Sequence, residues 1–336
     1  MRFLFIAGNG HDARILRNLG SGLCSFGHDV HLSSKDRMTG WFDGADVVLD
    51  VNHSRDEAIP EDIRHIAWVQ DYFHDDPPDY DDCLPDDIIY CFGDPRILGA
   101  PLWKHYRGSL TPGVNEVLLD RPPVELDLDF SIAGYVPDPW TMTASTQIAG
   151  KAFSTMHIMD EVVRRYYKPL RGEFDSRAMM AKVRDKLERF LTIEGYGHQI
   201  EYAWAQIKRN IAYGVHEMSR DADRKAAARL ALSVSDDTEL WGFGWDKWLE
   251  FAKWARPFTD NHERILNLHQ LSRINVHNNI YGFALHTRVL ESMAVGGFVM
   301  ANRSPYLGMA GQMTECFEPG THYGEYDDRH YRICEQ

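Results

Sequence analysis

Residues 273–303 read RINVHNNIYGFALHTRVLESMAVGGFVMANR. Ile274-Asn275-Val276 has the character of a short buried strand, and Thr287 to Ala294 carries helical periodicity. Gly297 to Met300 is a second strand entered through the tight Gly296-Gly297 turn. Strand, polar loop, helix and strand in that order form one unit of a parallel sheet. The loop falls at the carboxyl end of its strand, where open α/β sheets take ligands. The start of the helix offers unpaired N–H groups and the positive end of its dipole to a phosphate. Arg288, in the first turn, adds a fixed charge with bidentate geometry. Glu291, one turn further on, is placed to accept hydrogen bonds from a ribose diol.

Working outward, the chain opens the same way. Residues 2–7 are apolar, Gly8-Asn9-Gly10 turns the chain, Ala13 to Phe26 is helical in period, and Val30-His31-Leu32 starts another strand. Further short apolar runs at Asp46–Val51, Arg64–Val69 and Ile88–Cys91 read as buried parallel strands. Leu110 to Asn115 is a turn and Arg121-Pro122-Pro123 a linker. Leu126 to Ala133, closed by Gly134, then begins a second strand-first series. Met156 to Ser233 is strongly helical, and Glu239 to Gly244 is a strand leading into a glycine loop. The expectation is an α/β protein with two Rossmann-like domains facing across a cleft. They span residues 1–122 and 123–336, with a helical insert over about 145–232.

Composition narrows the partners. With 36 basic against 50 acidic residues in 336, the net charge is −14, which disfavours nucleic acid as a partner. Five scattered cysteines lack metal-ligand spacing and read as reduced thiols. The apolar start is interrupted at Gly8 too early for a signal peptide, and no stretch reaches the roughly 20 apolar residues of a membrane span. A cytoplasmic protein with no transmembrane segment is expected.

The 273–303 segment resembles the C-terminal signature of group 1 glycosyltransferases, in particular the CgeB-like branch, which runs roughly I-N-x-H, a gap, then R-x-x-E-x-x-A-x-G-G-F. Ile274, Asn275, His277, Arg288, Glu291, Ala294, Gly296, Gly297 and Phe298 match. Weaker matches follow in order along the chain. They are Trp68-Val69-Gln70-Asp71, Pro112-Gly113-Val114-Asn115, Phe130 to Gly134, Gly242-Phe243-Gly244-Trp245 and Phe317 to Tyr326. The resemblance implies the GT-B fold, with an acceptor-side first domain and a donor domain that holds the nucleoside diphosphate of an activated sugar. It implies no cofactor and no metal, the UDP- or GDP-type nucleotide sugar being the substrate. By the same resemblance, Glu291 binds the ribose and the Leu285–Arg288 helix start the diphosphate. Gly134, Gly242, Gly244, Trp245, His277, Tyr281, His286 and Thr287 complete the donor side. The group 1 pattern carries a second glutamate eight positions before the ribose one, and Phe283 stands there in this chain.

The remaining candidates are weighed on their chemistry. Gly8 and Gly10 lie on the loop that faces the cleft in such folds. The third glycine of a dinucleotide fingerprint is missing, so they read as acceptor-side residues or as a plain turn. Asp71, directly past a strand end, is the candidate general base, with His74 near it and His11 of the first glycine loop as further catalytic candidates. Against this, most of the acidic stretch 71–87 reads as a solvated loop. Asp79-Tyr80-Asp81 and Asp127-Leu128-Asp129 have the D-x-D spacing of a metal site, but the second precedes its strand, at the wrong end for a ligand. The aromatic run from Trp241 to Trp254 reads as core at helical spacing, with Trp245 as the residue for a base or sugar. The charged helices between Glu161 and Arg229 read as a solvated face. Sugar transfer to an unidentified acceptor is the leading function. A nucleotide-sugar 2-epimerase and a non-catalytic nucleotide- or sugar-binding protein are the alternatives.

Overall fold

A computed structural model describes residues 1–8, 10–34, 42–70, 80, 83–98, 102–137, 145–148, 151–171, 174–278, 285–306 and 308–326. For His11, 145–148, 151–153 and Ser176 it describes the backbone alone. The first half begins with β1 (Arg2–Ala7), whose apolar run is buried from Phe3 onward, and α1 (Gly10–Ser25). There follow β2 (Asp29–Ser34), β3 (Val47–Val51), β4 (Arg64–Val69), β5 (Ile88–Cys91) and β6 (Tyr106–Ser109). All pair in parallel in the order β2-β1-β3-β4-β5-β6. Strand β6 had no sequence signal. It is four residues long at the sheet edge, and its Tyr-Arg-Gly-Ser lacks the apolar run of a central strand.

The second half comprises β7 (Leu128–Ala133), the hairpin β8 (Ser145–Ile148) and β9 (Lys151–Ser154), and the helices α2 (Met156–Tyr166), α3 (Ser176–Ile193) and α4 (Ile200–Val234). It continues through β10 (Thr238–Trp241), β11 (Ala255–Arg256), α5 (His262–Leu271), β12 (Ser272–His277), α6 (Thr287–Ala294), β13 (Val299–Asn302) and β14 (Gly324–Tyr326). The sheet order is β11-β10-β7-β12-β13-β14, all parallel. Counted from its own first strand this is 3-2-1-4-5-6, the order of dinucleotide-binding sheets. The order reverses between β7 and β12, and a ligand crevice opens at such a reversal. The protein is thus α/β, with two Rossmann-like sheets, the arrangement of the GT-B fold.

Helix α4 joins two cores. With 35 residues it spans about 50 Å. Its first part packs Ile207, Ile211 and Val215 against Met159, Val163, Leu187 and Leu191 of α2 and α3. Its last part packs Ala227, Ala228 and Ala231 onto Phe130, Ile132 and Leu240 of the sheet. The stretch between the two cores lies level with the carboxyl ends of β7 and β12. There Glu217 contacts Tyr135 and Asp223 accepts a hydrogen bond from Asn278 at 2.8 Å.

One expectation about the fold is corrected here. The aromatic run after Gly244 is a short 3-10 turn, Trp245–Lys247, continued by turns, where the spacing had suggested a helix. Trp245, Trp248, Phe251 and Trp254 are linked by N–H to carbonyl bonds three residues apart. A period of three is that of 3-10 geometry.

Candidate functional site

The crevice at the β7/β12 reversal is built on Gly134. A Cβ there would lie 3.2 Å from Nη1 of Arg288 and 3.3 Å from Cζ of Arg224, so glycine lets two guanidinium groups close on the end of β7. Arg288 reaches it from the first turn of α6, its Nη1 donating to the Ala133 carbonyl at 2.9 Å. Arg224 reaches it from the middle of α4 and donates to the Tyr135 carbonyl. Burial depresses Arg224 to about 10, and burial together with the charges of Arg224 and Arg14 depresses Arg288 to about 9. Both stay charged at neutral pH. Two cations forced together, one of them with an Nε that has no partner among the described residues, are complementary to a dianion.

Two carboxylates flank the pair. Glu291, buried on α6, is raised to about 7 by burial, with Arg14 and Arg288 opposing the shift. It lies 3.3 Å from His262 Nε2 of α5 and 3.8 Å from Nη1 of Arg14 on α1. Because α1 belongs to the first half, this contact crosses the cleft. A second crossing lies nearby, where the Phe92 ring meets His286 edge-on at 6.3 Å and the Asp94 N–H donates to the Ala310 carbonyl. Glu217, on α4, is raised to about 7 by burial, and it accepts hydrogen bonds from Arg220 and from the Tyr135 hydroxyl at 3.2 Å.

Two of the histidines here, His269 and His277, are held neutral by burial. His286 caps α6, its Nδ1 accepting from the Arg288 N–H at 3.4 Å. His277 is pushed well below its usual value by burial and then by Arg288 and Arg224, while its carbonyl accepts from the Tyr326 hydroxyl. His269, held at about 4 by burial, donates through Nδ1 to Asn275 Oδ1 at 2.8 Å. Asn275 also accepts from Ser131 Oγ and donates to the His269 carbonyl, tying β12 to β7 and α5. Nε2 of His269 and of His277, Nε of Arg288 and Oγ of Ser292 have no partner among the described residues. Their side chains line a cavity of about 10 Å³ under the crevice.

These positions correct several expectations. Trp245 is buried and donates its indole N–H to the Gly134 carbonyl at 2.7 Å, so it supports the crevice from below. Gly242 and Gly244 have φ of +136° and +90°, and their Cβ atoms would strike the Gly134 and Val136 carbonyls at 2.4 and 2.2 Å. Close strand packing accounts for both glycines. Leu285 is buried among Val289, Val299 and Met313 and its N–H donates to the Gly311 carbonyl, which takes it out of a phosphate-binding helix start. Thr287 is buried at the first position of α6. Gly8 donates its N–H to Asp12 at 3.2 Å, and Gly10 opens α1. Asp71, His74 and Tyr281 lie outside the described residues, as does the side chain of His11. Asp129 of the second D-x-D pair sits at the start of β7, bonded to Ser235 and Arg273, at the end of the sheet away from the crevice.

Sequence reasoning missed Arg224, Glu217, Arg220, Tyr135, Arg14 and His262. The first three were read as a solvated helix face, since charged side chains are usually exposed. Their spacing of three and four residues placed them on one stripe, but nothing local said which element would cover it.

Among the comparisons with known proteins, a family model matches part of the second half. Residues 217–334 match a family model described as glycosyl transferase-like, and that segment holds Glu217, Arg224, Arg288 and Glu291. A search of curated proteins gave no match. Among solved structures the chain is similar to an alpha-glucosyltransferase in complex with UDP and a 13-mer DNA containing a HMU base. The identity is 10%, covering 90% of this chain and 79% of that one, with a TM-score of 0.43. A likeness that distant says nothing about ligands. Among the described residues no helix is long and apolar enough to cross a membrane.

Proposed function

We propose that this chain transfers a sugar from a UDP- or GDP-type nucleotide sugar to an acceptor, with the donor seated in the second half. The observation that carries this is the convergence of Arg224 and Arg288 on Gly134 at the strand-order reversal. A departing nucleoside diphosphate develops negative charge on its phosphates, and preorganised cations in a partly dry crevice stabilise that charge without reorganising. The two guanidinium groups supply the positive charge, so the diphosphate needs no metal to be held. Glu291, at the foot of the same helix, accepts the ribose hydroxyls, and Arg14 closes over it from the first half. The acceptor enters from the first half, where Asp71 is the proposed base, His74 and His11 are the further catalytic candidates, and Gly8 and Gly10 shape the loop. The family match over residues 217–334 supports glycosyl transfer as the reaction class.

Arg288→Ala tests the reading by calorimetry against UDP and GDP. Loss of one charged hydrogen-bonding partner should weaken the better ligand by about 10- to 100-fold. Melting of the ligand-free protein should change little, because the substitution also relieves repulsion with Arg224. Unchanged affinity would overturn the proposed diphosphate site.

A further inference from the structure

The middle of α4 buries more charge than a diphosphate site uses. Glu217, Asp223 and Arg224 are all buried there, while the helix presents apolar and small residues to both of its cores. Burying a carboxylate costs free energy unless it is well paired, so its place on this wall calls for a reason. Glu217 is 2% exposed and takes Arg220 and the Tyr135 hydroxyl. An ionised carboxylate has about four lone-pair directions, more than these two donors fill.

Tyr135 directly follows Gly134 and is 37% exposed, so it forms the open surface above the carboxylate. Its ring has the Arg224 and Arg220 guanidinium carbons 4.6 and 5.2 Å from the centroid, which fixes its plane. Glu217 and Arg224 are seven residues apart on one helix, two turns along the same face, or about 10 Å. One wall of the crevice therefore has guanidinium groups at Gly134 and an acceptor carboxylate, held by Arg220 and Tyr135, about two helical turns away. A ligand with phosphate at one end and hydroxyl groups a sugar's length away meets both.

We infer that Glu217, with Tyr135 and Arg220, receives the hydroxyl groups of the sugar attached to the diphosphate and so determines donor-sugar specificity. The inference rests on the reading that Arg224 and Arg288 hold the diphosphate. It assigns the sugar end of the donor to α4, on residues outside the 273–303 segment.

The test compares each nucleoside diphosphate with its sugar conjugates by calorimetry. UDP and GDP and their glucose, galactose, mannose and N-acetylglucosamine conjugates are titrated into the full chain, and the pair with the largest sugar-dependent gain is carried forward. Glu217→Gln should weaken the conjugate about 10-fold while the bare diphosphate stays within about 2-fold. Tyr135→Phe, which leaves the buried charges in place, should move the same ratio about 3-fold and decides the matter if the Gln variant fails to fold. An unchanged ratio, or equal weakening of both ligands, overturns the role of Glu217 and leaves the diphosphate site standing. A wild-type protein that binds every conjugate no better than its diphosphate also overturns it. If neither diphosphate binds, the donor-site reading falls and this inference with it.

Discussion

The two halves are both six-stranded parallel sheets, and they differ in where they bury charge. In the first half, buried charges are neutralised close to where they arise. Arg55 meets Asp87 at 2.7 Å, Asp87 also accepts from the backbone of His65 and Leu84, and His65 pairs with Asp50 at 3.1 Å. Asp87 sits just before β5, so its network braces the amino ends of β4 and β5. In the second half the buried charges gather at the carboxyl ends of β7 and β12, where Arg224 and Arg288 face each other across Gly134. Charge at a strand start braces a connection, while the carboxyl ends of the strands are where open α/β sheets bind ligands. The order reversal of the second sheet supplies the crevice, and helices crossing its top supply the chemistry.

The difference can be broken or sharpened by experiment. The largest expected effect is at Gly242, where left-handed backbone and a 2.4 Å approach to the Gly134 carbonyl both resist a side chain. Gly242→Ala should cost about 3 kcal/mol in denaturant unfolding and also weaken nucleotide binding, because it displaces the strand end that bears Gly134. A variant as stable as the parent would mean that the two strand ends are not locked together.

A smaller effect concerns acid. His216 at about 3, His269 at about 4 and His277, pushed well below its usual value by burial, are neutral when folded, while unfolding returns them to about 6.5. The unfolded chain then binds more protons, so the stability they contribute is present above pH 6.5 and is lost as pH falls towards 4. Glu217 and Glu291, raised to about 7, work the other way, their contribution declining as pH rises from about 4.5 to 7. Three histidines against two carboxylates leave a net loss of stability on acidification from pH 6.5 to 4.5. Chemical denaturation across that window reads it, and Glu217→Gln should steepen the loss by removing one opponent. Stability that is flat or rising towards pH 4.5 would show that the histidines are not buried neutral in the crevice.

The smallest effect lies in the first half. Gly10 opens α1 with no atom within 4 Å of an added Cβ and no positive φ. Gly10→Ala should stabilise by about 0.5 kcal/mol through its helix propensity, as measured by thermal melting. A marked loss would show that the first loop, like the second-half loops, needs its glycine.

Much of this architecture is legible locally. The runs at Val47–Val51, Arg64–Val69 and Ile88–Cys91 are strands where apolar patterning placed them, and α6 begins and ends where Thr287 and Ala294 predicted. Edge strands β6 and β11 were illegible, since four and two residues on a half-exposed edge need little apolar character. Gly242, Gly244 and Trp245 were noticed for the right segment and given the wrong task. The need for glycine comes from the carbonyls of Gly134 and Val136, more than a hundred residues earlier in the chain.

From the sequence alone come the alternation of strand and helix, the second strand-first start near Leu126, and a helix with Arg288 and Glu291 on it. Each depends on spacing within one element, and periodicity reports that directly. Only the tertiary structure decides that Arg224 joins Arg288 at Gly134, that Arg14 crosses from α1 to Glu291, and that Glu217 lies buried behind Tyr135. A charged side chain on a helix looks the same whether water or another helix covers it. What covers it is settled by packing between segments far apart in sequence, and that packing turned a charged stripe of α4 into the wall of a site.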